Sequence, residues 1–485
     1  MKKFLQSNFV HRELFVRLFG HDIYAVGGFV RDLLLNRPPH EVDLLIQGHP
    51  LEEIIDRLRP YGRVDLVGRS FGVIKLTIDG RTYDLALPRK DQPLGGTQEA
   101  GRKHKDFLIE ADPFLPLEKD LERRDFRCNS LALRLVDGKI IDPFNGQADI
   151  EQKIIRLTNP RSFPDDPLRV LRAARFASVL EFRIDHEIYL AAKEIDLGGL
   201  SVERVNEELF KILLQSSRPS RGLQEMLKLT VIKQLFPELY RCSLSIQDSY
   251  FHPEKDEAGH HTVWAHLLLS VDQARVISRL AGLETTRELA LLLAALYHDV
   301  GKPATADWEY KKDRLVITNN GHDILSEKIA KKFFSRQKLF SWNGFNLQAV
   351  VPMIIRHHHR VSELWLNRAN VTKKAFNRLA AAVKGEIDLL IYLDAADRAG
   401  RKKKLVTGLD RQAIWLFKKF TELKINKESI KPLIMGRDLI KLGVAPGPAM
   451  GQLLKKLYHY QLDNRFETRA EGLKLAKKLI EEKKP

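Results

Sequence analysis

Cysteine is almost missing from this chain: Cys128 and Cys242 are the only two in 485 residues. They form no CxxC pair, which argues against a disulfide framework and a zinc–thiolate centre. Long apolar runs are missing as well. The longest unbroken one, Leu289 to Tyr297, has nine residues, against the roughly 20 that a membrane-spanning helix needs. The opening stretch MKKFLQSNFVHRELF has neither a continuous apolar segment nor a small-residue cleavage site, so no secretory leader is expected. Negative charge is the scarcer sign, with 63 Asp and Glu against 80 Lys and Arg, a formal charge of +17. Such a surplus favours a polyanionic partner, nucleic acid being the commonest. These absences together lead to the expectation of a soluble, cytoplasmic protein, with no membrane partner and an oligomeric state left open. The length calls for three or four domains.

What is present divides by texture. Up to residue 148 the pattern is mixed α/β, with strand-like runs at 23–26, 42–46, 71–78, 82–87, 131–136 and 139–141. Asp79-Gly80 and Asp137-Gly138 read as hairpin turns. Residues 89–104, charged and Gly-rich, read as a mobile loop. Beyond 150 the apolar spacing is helical, as in 167–180, 201–214 and 220–229. A polar, His-rich linker at 248–262 opens a third region of long helices. The RKKK run at 401–404 begins a basic helical tail, which GVAPGP (443–448) interrupts as a loop.

Four constellations carry chemistry. In YAVGGFVRDLLLNRPPHEVDLLI (24–46), a strand ends in Gly27-Gly28, Arg31 and Asp32 follow, and Glu41 and Asp43 alternate on a second strand. Residues i and i+2 of a strand share a face. Paired carboxylates suit a hard cation such as Mg²⁺, and a Gly-rich turn lets backbone N–H groups approach a triphosphate. Asp84 can add a third carboxylate from a neighbouring strand, giving the cluster that metal-assisted phosphoryl transfer needs. Alternating acids alone would equally mark a solvated strand edge. In RRDFRCNSLAL (123–133), Arg124 can meet phosphate or ribose, Asp125 can accept from a 2′-hydroxyl and Asn129 can add a polar contact. A charged loop before a strand is the plainer reading.

In DDPLRVLRAARF (165–176), helical spacing would put Asp166 and Arg169 on one face. A carboxylate only accepts and a guanidinium only donates. Such a pair matches the amino group and bare ring nitrogen of cytosine and adenine, and opposes the reversed pattern of uracil and guanine. The plainer alternative is an i,i+3 surface ion pair. Arg172 and Arg175 extend a basic stripe along the same helix. The fourth set lies in the C-terminal half: His266, His298-Asp299, His322, the triplet His357-His358-His359, and Asp397. Neutral imidazoles with carboxylates suit Mn²⁺, Fe, Ni²⁺ or Zn²⁺. Lys302 beside them can neutralise phosphate.

GGFVRD, E-x-D, RRDFRCNSLAL, DDPLRVLRAARF and SVERVNEEL (201–209), in this order, resemble the class II tRNA nucleotidyltransferase/poly(A) polymerase family. The resemblance implies an α+β chain: a polymerase-β-like nucleotidyltransferase head (1–148), an all-α neck and body (149–247), and a basic helical tail (406–485). It implies template-independent addition of C and A, from CTP and ATP, to tRNA 3′ ends. The family's Mg²⁺ ligands fall on Glu41 and Asp43, its base-selecting pair on Asp166 and Arg169, and its ribose contacts on Arg124 and Asp125. The chain departs from the family in having Glu41 where Asp is usual, RRDFRCNS for RRDFT-x-NA, and Asp165 where Glu is usual. H…HD…D, with HDVGKP, resembles the HD phosphohydrolase superfamily over about 260–400 and implies an HD domain at 248–405. That resemblance implies a divalent transition metal held by His266, His298, Asp299 and Asp397, with His322 and His357 or His358 completing a second position. Rival readings are a poly(A), CC-adding or A-adding polymerase, an HD phosphohydrolase with a weak head, and a non-catalytic RNA-binding factor.

Overall fold

A computed structural model describes residues 9–38, 42–67, 73–93, 107–311, 313–423, 425 and 430–482. Two compact units emerge, Met1–Ile212 with Arg221–Leu235, and Leu213–Ser220 with Phe236–Pro485.

The first unit is built on a sheet ordered β3-β4-β5-β2-β1-β8-β9. Its strands are β1 (Ile23–Val26), β2 (Asp43–Ile46), β3 (Arg63–Val67), β4 (Val73–Ile78), β5 (Arg81–Ala86), β8 (Ala132–Arg134) and β9 (Ile140–Ile141). All neighbours are antiparallel except β2 and β5, which run parallel. The β4–β5 turn takes positive φ at both Asp79 and Gly80, the geometry a two-residue hairpin demands. The helix Leu117–Glu122 presses Leu117 and Leu121 onto Tyr24, Val26, Leu45 and Ala132. Its next residues, Arg123 and Arg124, thereby reach the central strands beside Val26 and Asp43. Part of the segment expected as a loop is strand: β6 (Arg89–Pro93) pairs with β7 (Phe107–Ala111), and the residues between them lie outside the described ones.

After residue 150 helices dominate, but not alone. Ile154–Ile155 pairs in parallel with Arg183–Ile184, and Asp307–Lys311 pairs antiparallel with Arg314–Thr318. The second unit centres on the helix Thr285–Tyr297, in which every residue from Leu289 on is buried. A helix apolar all round belongs inside a bundle, here among Val263–Leu280, Leu347–Leu366 and Ile387–Ala399. The segment 248–262 is no linker. Asp248, His252, Glu254 and Thr262 are buried in it, tolerated there because they bond one another and their surroundings. The RKKK run is also not helical: the helix ends at Ala399, and Gln273 holds the following segment through the carbonyls of Ala399, Lys402 and Lys404. The C-terminal helices enclose their own small core of Ile434, Leu439, Leu457, Phe466 and Leu479.

Candidate active sites

In the first unit, β2 and β5 align Asp43 opposite Asp84. Register partners on adjacent strands point to the same face, so two carboxylates stand side by side. They line a pocket of about 260 Å³ together with Arg89, Arg123 and Arg124. Lys75 Nζ lies 3.7 Å from Asp84. Glu41 lies outside the described residues. Two carboxylates beside several guanidiniums fit a hard cation and the phosphates it accompanies. The arginines are held by a residue the sequence reading missed. Asp120, fully buried, takes Arg123 at 2.7 Å and Arg124 at 3.1 Å. Burial opposes its charge, but Arg124 and Arg123 outweigh that and lower its pKa. Gly27 is required by its φ of +68°, and a Cβ there would also press on the Arg124 guanidinium, 2.9 Å from Nη1.

The remaining motif residues form a chain of contacts. Arg31 donates to Asp32 (2.7 Å) and to Asn129 Oδ1 (2.6 Å). Asn129 donates to Asp125 at 3.0 Å, and Arg172 Nε reaches the other Asp125 oxygen at 2.7 Å. Asp125 also accepts from the Phe126 N–H. Burial raises its pKa, yet Arg172 and Asn129 bring it down to about 2. Three protein donors thus occupy most of a carboxylate that was expected to meet a ribose. Arg175 pairs with the buried Glu208 at 2.6 Å and packs its guanidinium 4.1 Å from the Phe176 ring centroid. Arg172 and Arg175 are therefore engaged inside the protein rather than forming a basic stripe.

Asp166 and Arg169 do not share a helical face. The helix starts at Leu168, and Asp166 is extended (φ −126°, ψ 97°), because a residue before proline avoids the α region. Its carboxylate caps Leu168 N–H and takes Arg204 at 2.9 Å. Arg169 donates to the carbonyls of Ser162 (2.5 Å) and Arg123 (2.6 Å). It is thereby tied to the residue whose side chain lines the Asp43 pocket.

The second site gathers side chains from five helix ends and middles. His298 and His358 each donate Nδ1–H to a carbonyl one turn back, Ala295 and Ile355. His322 does so to Asn319, and His266 Nδ1 lies 2.8 Å from Glu254. Each Nε2 is left to point inward. There His266 Nε2 is 3.0 Å from Asp397 and 3.3 Å from His298 Nε2. Asp299 lies 3.3 Å from His298, 3.2 Å from His322 and 3.9 Å from His358. His358 Nε2 is buried without a hydrogen-bond partner and faces Asp299 Oδ1, which suits a cation between them. Burial, with His359 and His298 nearby, pulls the His358 pKa well down, leaving the neutral lone pair a metal requires. Of the triplet, His358 and His359 group with His322. His357 does not belong there; its charged neighbours are Arg360, Arg356, Glu327 and Asp323. On a helix, successive residues are turned by about 100°, and a triplet cannot face one point.

Sequence reading missed His252 and Glu254, and it named His359 in the triplet without counting it among the ligands. HPEKDEAGHH offered a signal in its His density. Lys302 Nζ sits 2.6 Å from Asp299 and 3.1 Å from His252 Nε2. Burial and Lys302 lower the His252 pKa to about 4, so it accepts from the ammonium. Gly301 permits the fit: a Cβ would come within 2.8 Å of Ser326 N, at the start of the helix bearing His322. These groups border a pocket of about 290 Å³.

Residues 23–156 match the Poly A polymerase head domain, 182–242 the Probable RNA and SrmB- binding site of polymerase A, and 263–400 the HD domain. The Multifunctional CCA protein of Stenotrophomonas maltophilia (strain K279a) is 32% identical over 70% of this chain and 77% of its own length. That of Methylococcus capsulatus is 30% identical over 90% and 92%. The chain belongs to the multifunctional CCA protein family. Among solved structures, the Bacillus stearothermophilus CCA-adding enzyme in complex with CTP matches at TM-score 0.63, 21% identity, covering 99% of this chain and all (100%) of that one. The Thermotoga maritima CCA-adding enzyme complexed with tRNA matches at TM-score 0.55 and 21% identity, covering 98% and 97%. In this family member the polymerase-type head and the HD domain are both present, each with a candidate metal-binding group or pocket. No helix among the described residues is long and apolar enough to cross a membrane.

Proposed function

We propose that the chain is a tRNA nucleotidyltransferase that builds the CCA end from CTP and ATP, with segments 1–148, 149–247, 248–405 and 406–485 as head, neck and body, HD domain and tail. The observation that carries this is Asp43 aligned with Asp84 over a pocket walled by Arg123 and Arg124. The RNA 3′-hydroxyl oxygen attacks the α-phosphorus, its proton leaves, and the bond from that phosphorus to the pyrophosphate oxygen breaks. Asp43 and Asp84, with Glu41 as the family motif implies, would hold Mg²⁺, which would supply Lewis acidity for the transfer. Arg123 and Arg124, oriented by Asp120, meet the phosphates, and Arg31 ties the Gly turn to Asn129. Asp125 acts by orienting Arg172. Asp166 and Arg169 read the Watson–Crick edge of cytosine and adenine alike, and Arg204 aims Asp166. Product 3′ ends on tRNAs stopping before the first C, after C and after CC test this with both nucleotides present. Completion to CCA on all three is expected. Runs of A would instead indicate a poly(A) polymerase.

A second activity rests on the four inward-turned Nε2 atoms. His266, His298, Asp299 and Asp397, with His322 and His358, would hold a divalent transition metal, which would supply Lewis acidity to a water. Lys302 binds a phosphate oxygen. Water adds to phosphorus and one ester oxygen departs with a proton, so a cyclic phosphate opens to a monoester. Phosphate-end analysis of RNA bearing 2′,3′-cyclic ends, with and without chelator, tests it.

A further inference from the structure

The hairpin Asp307–Lys311/Arg314–Thr318 is built inside out. Its register sets Trp308 opposite Ile317 and Tyr310 opposite Leu315, all on one face. The other face carries Val316, which is buried. Trp308, Tyr310 and Leu315 are 61%, 72% and 58% exposed. Aromatic side chains on a small hairpin normally cover a core; these cover nothing among the described residues. Ile317, on this outward face, lines the HD pocket, and so does Phe251. Phe251 and Tyr250 are exposed too, with ring centroids 5.1 Å apart. Arg314 lays its guanidinium 4.4 Å from the Tyr250 ring centroid and is steadied by Asp248 at 3.4 Å. The pocket behind this rim presents Lys302 and Arg401. The layout is flat π-faces outside, cations and metal-type ligands inside.

Single-stranded nucleic acid has the complementary layout, with bases that stack and phosphates that seek cations. We infer that the aromatic rim is a base-stacking subsite, which seats the unpaired bases of an RNA 3′ end while its terminal phosphate enters the HD pocket. This rests on the phosphohydrolase reading of that pocket. The subsite makes the HD domain selective for oligonucleotide ends over mononucleotides. Trp308 and Tyr310 receive bases upstream of the end, and Phe251 the terminal base.

The test compares a short single-stranded oligoribonucleotide and a mononucleotide, each ending in a 2′,3′-cyclic phosphate, with the full chain and a divalent metal. The wild type is expected to show a KM about tenfold or more lower for the oligonucleotide. Trp308→Ala with Tyr310→Ala should erase that advantage through KM rather than kcat. Phe251→Ala should raise KM for both. Circular dichroism checks the fold of each variant. In parallel, an oligonucleotide with 4-thiouridine beside the terminal phosphate is photocrosslinked, and adducts are expected within 248–252 or 307–318. In the Trp308 and Tyr310 double variant, an unchanged oligonucleotide KM or equal losses on both substrates overturns the subsite, as do adducts confined to 23–156. So does a change in sedimentation without a change in KM, which would make the face a seam between copies. If the wild type opens neither cyclic phosphate, the phosphohydrolase reading fails, and the crosslink still decides the subsite.

Discussion

The two acid-bearing sites are built on opposite plans. In the head, Asp43 and Asp84 are partly exposed on a sheet and offer only oxygen. In the HD domain, His266, His298 and Asp299 are buried and offer nitrogen and oxygen together. An open oxygen site suits an ion that arrives with its nucleotide and keeps its waters. A closed mixed site suits an ion that stays and a pocket whose walls set its protonation. The difference teaches where each site's order comes from. The head relies on strand register plus arginines braced by Asp120. The HD site relies on second-layer acceptors that aim each imidazole.

The sharpest way to break this comparison is Asp43→Ala. Addition should fall about a thousandfold or more, tRNA binding should persist, and cyclic-phosphate opening at the HD site should be unchanged. Labelled CTP incorporation checks the first and a gel-shift the second; residual addition above a tenth would sink the assignment. The reciprocal change, Asp299→Asn, should cut cyclic-phosphate opening about a hundredfold or more with addition intact. Loss of both activities together would mean that the two sites are not separable.

At the head's selective end, Asp166→Ala should relax discrimination against UTP and GTP, by about five- to a hundredfold, the worth of one bidentate pair. Arg204→Ala should move it the same way and less. Misincorporation ratios read this directly, and an unmoved ratio in Asp166→Ala refutes the template.

Proton release sharpens the contrast at the HD site. Burial lowers the His266 pKa, but Asp397 and Glu254 more than offset it and raise it to about 9. In the metal-free protein its charged form stabilises the fold fully below 6.5 and is lost as pH rises through about 9. A metal must displace that proton, so titration near pH 7.5 should release protons, and affinity should rise with pH. Calorimetry in buffers of different ionisation enthalpy measures it; buffer-independent heats would contradict it. The smallest effect lies in the head. Asp125→Asn should cost about 2 kcal/mol, the worth of its depressed pKa. That stability is present above the unfolded carboxylate value of 3.8 and lost as pH falls through about 2. Urea midpoints at pH 7 and pH 3 should therefore differ less in the variant than in the wild type.

Much of this was legible in the chain. Strand β1 and the helices near 168–179 and 202–215 follow from apolar period alone. Asp84 was offered as a third carboxylate from a neighbouring strand, and the register of β2 with β5 sets it opposite Asp43. What escaped was the burial of charge. Asp120 stands at helical spacing from Arg123 and Arg124, a local signal that says nothing of its burial, whereas Arg172 meets Asp125 across 47 residues of sequence. Asp166 was misplaced because helical spacing was counted through Pro167. The 248–262 segment was misread because polarity usually means solvent, whereas its histidine and carboxylates are satisfied inside. Gly27 and Gly301, by contrast, were visible in their motifs, and only the structure says what stands against them.

The contacts from Arg31 through Asn129 and Asp125 to Arg172 bear on how this protein can be inherited. They tie residues before 35, near 125–129 and near 172 into one bonded set. A crossover between related genes anywhere from 130 to 167 separates Arg172 from its acid. Chimeras cut there are expected to fold worse than chimeras cut beyond residue 215, after the helix that carries Glu208. The unit of exchange is then the head together with its following helices, a module larger than the sheet that holds the acids.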